Sequence, residues 1–278
     1  MKLLQACIAE VIGTFLLVLF GTGIVATAVL TEAQVGLWQV AVVWGFGVAL
    51  AIYTTASISG AHLNPAVSLA FAIFRRESFP IRRLPAYWAA QLTGAVFAGL
   101  AVLGIFGPFL ARFEQNAGII RGDAGSERSA MVFGEYFPNP AIFGVDEVAH
   151  ALISPLGAVF VEAFGTAILV LIIFALTDRR NAALSHRDMS PFLIGFTVAV
   201  LISIFAPLTQ AGWNPARDFG PRIVAFFAGW GSQAIPGPMS GFWVYIVGPL
   251  IGGPIGAAIH ELILRPRDRG QFRIRRRG

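Results

Sequence analysis

The sequence is poor in charged residues and has almost no cysteine. Charged residues make up 13% of its 278 residues, whereas soluble domains carry about 25%. The single cysteine, Cys7, excludes an intrachain disulfide and a cysteine-based metal site. The apolar segments contain no Ser/His/Asp set or phosphate-binding loop, and His150, His186 and His260 do not have the spacing of metal ligands. The sequence therefore predicts neither an enzyme nor a bound metal or cofactor.

Long apolar segments account for much of the chain. Six of them are close to 20 residues long, which is enough to cross ~30 Å of hydrocarbon as a helix. Two others, 65–75 and 215–228, are too short to span. The six long segments are about 5–30, 36–57, 86–110, 155–177, 191–210 and 241–264. We therefore predict an all-α membrane protein of six transmembrane helices that forms one domain over residues 1–278.

The N-terminal apolar run also resembles a secretory signal peptide, because it follows Lys2 and contains Ala26-Thr27-Ala28. Glu10 interrupts this run, and the same pattern returns inside the chain. We therefore interpret it as a retained first helix.

The basic residues indicate an orientation. If the N-terminus is cytoplasmic, that side holds Lys2, four arginines at 75–83, three at 179–187 and seven after Leu264. The positive-inside rule then places both termini in the cytoplasm, with segment 111–154 as an extracytoplasmic loop of the plasma (inner) membrane. The basic tail 265–278 is expected to lie near anionic lipid. Because the net charge of +5 is distributed by loop, we expect no nucleic-acid partner.

The two halves of the chain repeat one another. The motif Glu-x-x-Gly-Thr begins at Glu10 and again at Glu162, and an Asn-Pro-Ala motif follows each copy at a similar distance. Each half contains three spans, so the second copy enters the membrane with inverted topology. Inverted repeats place the functional site near the midplane. The predicted repeats cover 1–110 and 155–264.

Each Asn-Pro-Ala motif is a strong helix start, with Asn as N-cap and Pro at the first helical position. The residues are Asn64, Pro65, Ala66, Asn214, Pro215 and Ala216. Each opens an apolar segment of about eleven residues, roughly 16 Å of helix, or half the hydrocarbon thickness. One such motif is a common loop-to-helix start, but two at matched places predict re-entrant half-helices that meet in the middle. Their positive dipole ends and amide donors favour uncharged polar solutes and oppose cations and protons.

These motifs carry a family resemblance that covers essentially the whole chain. The two signatures are Ser59-Gly60-Ala61-His62-Leu63-Asn64-Pro65-Ala66-Val67 and Asn214-Pro215-Ala216-Arg217-Asp218-Phe219-Gly220-Pro221. They resemble the major intrinsic protein family of aquaporins and aquaglyceroporins. Asp218 and the loop motif Phe137-Pro138-Asn139-Pro140 are similar to the bacterial glycerol facilitators in particular. The resemblance implies the aquaporin fold and a homotetramer with one pore per subunit.

The resemblance also implies a selectivity filter of Trp44, Ile202, Ala211 and Arg217. Arginine inside a membrane segment normally marks a solute path, whereas Trp44 taken alone would be an interfacial or core aromatic. Glycerol facilitators carry Gly and Phe in place of Ile202 and Ala211, and Trp-Ile-Ala-Arg is more similar to the plant nodulin-26-like channels. We expect passage of glycerol, with urea, neutral metalloid hydroxides and water as further solutes. A mainly water-conducting aquaporin is the alternative, although the fifth helix lacks the histidine of strict water channels.

Four polar residues are predicted to support the re-entrant segments: Glu10, Glu162, His62 and Asp218. We expect the two glutamates to accept hydrogen bonds from loop backbone N–H groups. A proton relay through the glutamates and gating by His62 are the alternatives. A secondary transporter, which also uses inverted repeats and broken helices, would need cavity-facing carboxylates as a coupling-ion site. Trp213 has no assignment, because it fits an outer vestibule or a packing role equally well.

Overall fold

The computed structural model describes residues 2–34, 36–184 and 186–265, and all the regular structure in these ranges is helical. The basic tail predicted near anionic lipid falls almost entirely on residues 266–278, outside the described residues. The main helices are α1 (Leu3–Thr31), α2 (Leu37–Ser59), α3 (Pro65–Phe74) and α4 (Leu84–Ala117) in the first half. Three short helices follow, α5 (Glu127–Ala130), α6 (Pro140–Phe143) and α7 (Glu147–His150). The second half contains α8 (Pro155–Thr177), α9 (Ser190–Thr209), α10 (Pro215–Ala225) and α11 (Val244–Ala258).

Six helical segments of the described residues are long and apolar enough to cross a membrane, which confirms the predicted number of spans. They are α1, α2, α8 and α9, together with Ile81–Ala117 and Pro238–Leu264, which extend α4 and α11 by irregular helical turns.

Helix α4 differs most from the predicted bounds, because it continues to Ala117 past the expected end at residue 110. The added turns contain Glu114 and Gln115, which are good helix formers. Their carbonyls accept the backbone N–H of Gly118, whose φ of 63° is the left-handed conformation that ends many helices. The first part of the predicted outer loop is therefore helical.

The two half-helices α3 and α10 begin as the sequence predicts. The Asn64 side-chain oxygen accepts from the Ala66 N–H at 2.8 Å, and the Asn214 oxygen accepts from the N–H groups of Ala216 and Arg217 at 3.1 and 3.2 Å. The helices are 10 and 11 residues long, about 15 Å, so each reaches halfway through the hydrocarbon.

The non-helical segments before the half-helices are shorter than the small and turn-forming residues at 57–63 and 207–213 suggest. Helices α2 and α9 continue to Ser59 and Thr209, which leaves only 60–64 and 210–214 without helical structure before α3 and α10. In both segments the first, second and fourth residues have positive φ, at 60, 61 and 63 and again at 210, 211 and 213. Only Gly60 is a glycine, so each of the other five conformations costs about 1–2 kcal/mol and needs support from its surroundings.

The helix pairs that pack most extensively are α8 with α11, α1 with α4, α2 with α9, and α1 with α2. A Cβ added at Gly94 would lie 2.3 Å from the Val11 carbonyl oxygen, and one at Gly252 would lie 2.0 Å from the Ala163 oxygen. Both carbonyls belong to the residue directly after a repeated glutamate. The same backbone contact between helices therefore occurs in both halves.

Candidate pore and its constriction

The two half-helices meet at their N-termini through a reciprocal pair of hydrogen bonds. The Asn64 side-chain amide donates to the Trp213 carbonyl at 2.9 Å, and the Asn214 amide donates to the Leu63 carbonyl at 2.8 Å. Both asparagines are buried and both line a cavity of about 350 Å³. Each amide group has a second hydrogen that these bonds leave unused.

Glu10 of α1 holds the first non-helical segment. Its carboxylate accepts from the backbone N–H groups of His62 at 3.0 Å and Leu63 at 2.8 Å. It also accepts from the side-chain amide of Gln91 in α4 at 2.7 Å. Glu10 is fully buried, so these three donors compensate for the water that its charge would otherwise bind.

Glu162 of α8 makes the equivalent contacts in the second half. It accepts from the backbone N–H groups of Gly212 at 3.0 Å and Trp213 at 2.7 Å, and from the Thr209 hydroxyl at 2.6 Å. Both carboxylates therefore point at loop backbone, as expected for supports of the re-entrant segments. Carboxylates whose oxygens are bound to these fixed donors fit structural supports better than a proton relay.

His62 is enclosed beneath the first half-helix. Its Nδ1 lies 3.2 Å from the Ser68 hydroxyl, and its ring contacts Phe71, Phe79 and Tyr87 with centroids 4.5–5.3 Å away. Buried as it is, the imidazole fills space and makes one hydrogen bond. The sequence prediction of a structural histidine is compatible with this position.

Trp213, which the sequence left unassigned, lines the central cavity. Its ring packs edge-on against Phe205, with centroids 6.2 Å apart, and its indole nitrogen lies over Gly165 of α8, where an added Cβ would be 2.2 Å away. Its carbonyl is the acceptor for Asn64. Trp213 therefore joins α8, α9 and the midplane contact.

The four residues proposed as a filter lie around one passage. Trp44, Ile202, Ala211 and Arg217 all line the central cavity. All except Ala211 also line a second cavity of about 340 Å³ on the side of the outer loop. The guanidinium carbon of Arg217 lies 4.6 Å from the centroid of the Trp44 ring. Trp44, Ile202 and Arg217 therefore stand where the two cavities meet.

The outer loop supplies the partners of Arg217. Its guanidinium donates to the Phe133 carbonyl at 3.3 Å and forms an ion pair with Glu135 at 2.5 Å. Asp218, the next residue of α10, accepts from the backbone N–H of Glu135 at 2.7 Å and from Arg222 at 2.7 and 3.0 Å. Asp218 thus anchors the outer loop to α10, rather than supporting the re-entrant segment before it.

Sequence reasoning missed Glu135 and Gln91. Gln91 could have been predicted as a functional residue, because a lone polar residue inside an apolar span normally has a buried partner. Glu135 could not, because it is one of several acidic residues in a polar loop whose folding no periodic pattern predicts.

A second charged cluster lies where α8 and the last span end. Oxygen and nitrogen atoms of Asp178, His260 and Glu261 lie within 4.8 Å of one another, a grouping that could hold a metal. The Glu261 carboxylate, however, is ion-paired with Arg75 at 3.0 Å and Arg265 at 2.6 Å, and Arg265 also lies 3.5 Å from Asp178. Arginine already compensates both carboxylates, so the cluster is best described as an ion-pair network between the ends of α3, α8 and the sixth span.

Comparison with known proteins agrees with this geometry. Residues 1–260 match the sequence profile of the family described as "Major intrinsic protein". The chain is 41% identical over 265 residues to a glycerol uptake facilitator protein of Pseudomonas aeruginosa, covering 95% of this chain and 90% of that protein. It is 39% identical over 260 residues to a propanediol uptake facilitator of Citrobacter freundii, covering 93% and 91%. The fold matches the X-ray structure of the aquaglyceroporin from Plasmodium falciparum with a TM-score of 0.80 and 25% identity, covering 95% and 98% of the two chains.

Proposed function

Because this chain belongs to the major intrinsic protein family, we propose that it is a passive channel for glycerol and other small uncharged solutes, including propanediol. The observation that carries the proposal is the contact between the half-helices, in which Asn64 and Asn214 each donate to the opposite segment. In this contact, two amide donors and two helix N-termini lie at one point beside the central cavity. No bond of the solute is made or broken.

Selection against ions follows from that point. The N-termini of α3 and α10 carry partial positive charge, which raises the energy of a cation or a hydrated proton in the same place. A hydroxyl or water oxygen can accept from the remaining amide hydrogens. The backbone of 60–63 and 211–213 lines the same cavity and provides carbonyl acceptors for the hydroxyl hydrogens of the solute.

The constriction supports a polyol with two different sides. Arg217 offers guanidinium donors to hydroxyl groups, while the Trp44 ring and Ile202 offer apolar surface to the carbon side. Ala211 provides a small side chain where the resemblance implies phenylalanine in glycerol facilitators. We infer a filter like that of nodulin-26-like channels, which would also pass urea and neutral metalloid hydroxides.

Stopped-flow light scattering of proteoliposomes tests the proposal. Glycerol, propanediol and urea should equilibrate faster than in protein-free liposomes, at rates that rise linearly with concentration and ignore ion gradients. A parallel dye measurement should detect no proton flux. Saturating, ion-dependent uptake would instead establish a secondary transporter, and rapid water flow without solute flow would establish a water channel.

We also propose that the chain forms a homotetramer with both termini in the cytoplasm. The charge distribution along the loops supports this orientation, and the family resemblance supports the tetramer. In a Cys7→Ala background, a membrane-impermeant maleimide should label Ala124→Cys in intact cells but label Ala182→Cys only after lysis. The opposite labelling pattern would show that the topology is inverted.

The tetramer is tested by chemical crosslinking. A product that stops at any stoichiometry other than four would contradict the tetramer.

A further inference from the structure

Arg217 does not present an unpaired charge to the constriction. Its two side-chain contacts with the outer loop are the Phe133 carbonyl and the Glu135 carboxylate. Arg217 is 3% exposed and Glu135 is 1% exposed. At this depth an unpaired carboxylate or guanidinium would be strongly unfavourable, so the two groups need each other.

Among the described residues, Arg217 is the cation that pairs with the Glu135 carboxylate. Arg222, the other buried arginine nearby, is bound through two nitrogens to Asp218, and it reaches only the backbone carbonyl of Glu135. The second carboxylate oxygen of Glu135 has no hydrogen-bond partner among the described residues. It lies against Gly212, where an added Cβ would be 2.6 Å away. The orientation of Glu135 is therefore determined by its contact with Arg217.

We propose that Glu135 is a specificity-determining residue of the pore, which neutralises Arg217 and holds its guanidinium on the outer-loop side of the passage. The inference rests on the proposed channel function. With the carboxylate in place, the guanidinium is drawn toward the loop and part of its donor capacity is occupied. Without it, the charge of the guanidinium is unpaired and more of its donors are unused, and it can lean across the passage that it shares with Trp44. Glycerol, the wider solute, is then slowed more than water.

The ionisation of Glu135 should also depend on the pH of the outer side. Glu135 lines the outer cavity, so protons can reach it. Burial raises the pKa of Glu135 well above its ordinary value, Arg217 opposes this rise, and nearby carboxylates add to it. The charged and titratable groups that surround it are Arg217, Asp218 and Arg222 of α10, Glu162 of α8 and Tyr245 of α11. Protonation of Glu135 removes the ion pair, so acid on the outer side should imitate removal of the carboxylate.

The test compares Glu135→Gln with the wild-type protein in liposomes at neutral and acidic outer pH. Glutamine keeps the shape and removes the charge. We expect glycerol permeability to fall about threefold or more relative to water permeability, which corresponds to a modest change in barrier height. The wild type should move toward the variant's ratio on acidification, whereas the variant's ratio should not change with pH. Glu135→Asp, which retains a carboxylate, should retain the pH response.

Glu114→Gln is the matched control, because Glu114 is another buried glutamate of the outer half, paired with Arg121 at 2.9 Å, and does not line either cavity. It should leave the solute ratio and its pH profile unchanged. An unaltered ratio and pH profile in Glu135→Gln would overturn the inference, as would an equal change in Glu114→Gln. If Glu135→Gln fails to insert, a pH-independent Glu135→Asp channel overturns it. A wild type no faster than protein-free liposomes would instead refute the channel function itself.

Discussion

Replacing Glu162 with glutamine should loosen the second re-entrant segment while leaving helix α8 intact. Glutamine retains one acceptor oxygen, which can keep the contacts of Thr209 and Gly212 with Oε1. The other position becomes an NH₂ donor that faces the Trp213 N–H, now without an acceptor. Losing a charge-assisted bond and leaving a buried donor unpaired costs about 2–3 kcal/mol.

The functional effect follows from the position of Trp213. Its N–H is held by Glu162 and its carbonyl accepts from Asn64, so movement of this one peptide changes the midplane contact. We expect Glu162→Gln to lower glycerol flux per inserted channel and to reduce the barrier to protons. Glu162→Ala should be more severe, because all three donors lose their acceptor.

Thermal unfolding in detergent and stopped-flow swelling of liposomes would measure the two effects. In thermal unfolding, we expect the Tm of Glu162→Gln to be several degrees lower than that of the wild type. Thr166→Val is a suitable control, because the Thr166 hydroxyl is buried one turn further along α8 and, among the described residues, bonds only to a carbonyl of its own helix. It should cost about 1 kcal/mol and leave flux unchanged. A Glu162→Gln protein with the Tm, glycerol flux and proton exclusion of the wild type would refute the anchoring role.

Three further predictions follow from individual side chains. The double change of Ala211→Phe with Ile202→Gly should raise the selectivity for glycerol over larger polyols in liposome swelling, and an unchanged solute ranking would mean that the filter is misplaced. Asn64→Asp should preserve the helix start, since Asp is a good N-cap, but it removes an amide donor and adds a negative charge at the midplane. Patch recording or a proton-flux dye should therefore detect a cation leak. Tight exclusion of cations would contradict the electrostatic argument. Gly195→Ala should destabilise the protein, because its Cβ would lie 2.1 Å from a carbonyl oxygen of α2. Gly104→Ala should not, because its Cβ would have no neighbour within 4 Å among the described residues. Equal melting temperatures of the two variants would refute the close packing of α2 with α9.

The spans were predictable because the sequence marks their ends by simple chemistry. Helix α8 has the predicted bounds, since Pro155 can only begin it and the polar run from Asp178 follows it. The end of α4 was missed because its last turns are polar, and an apolarity criterion stops where the helix leaves the hydrocarbon. The shorter non-helical segment before α10 has a different cause, because Pro207 suggests the end of a helix but lies inside α9.

The roles of the two asparagines at the midplane could be predicted from the sequence, whereas the contact of the outer loop with the constriction could not. The roles of Asn64 and Asn214 as helix caps follow from local rules that need no knowledge of the rest of the chain. The contact of Glu135 with Arg217 joins residues 82 positions apart in the sequence, through a loop whose course depends on tertiary packing. One sequence alone contains no pattern that connects them.

The reciprocal bonds between the two halves have a consequence for how the molecule can be divided. Each asparagine finds its acceptor in the other half, so either half made separately would have an amide and a carbonyl without their counterparts. Two fragments separated within the outer loop should therefore gain conduction only when they are produced together.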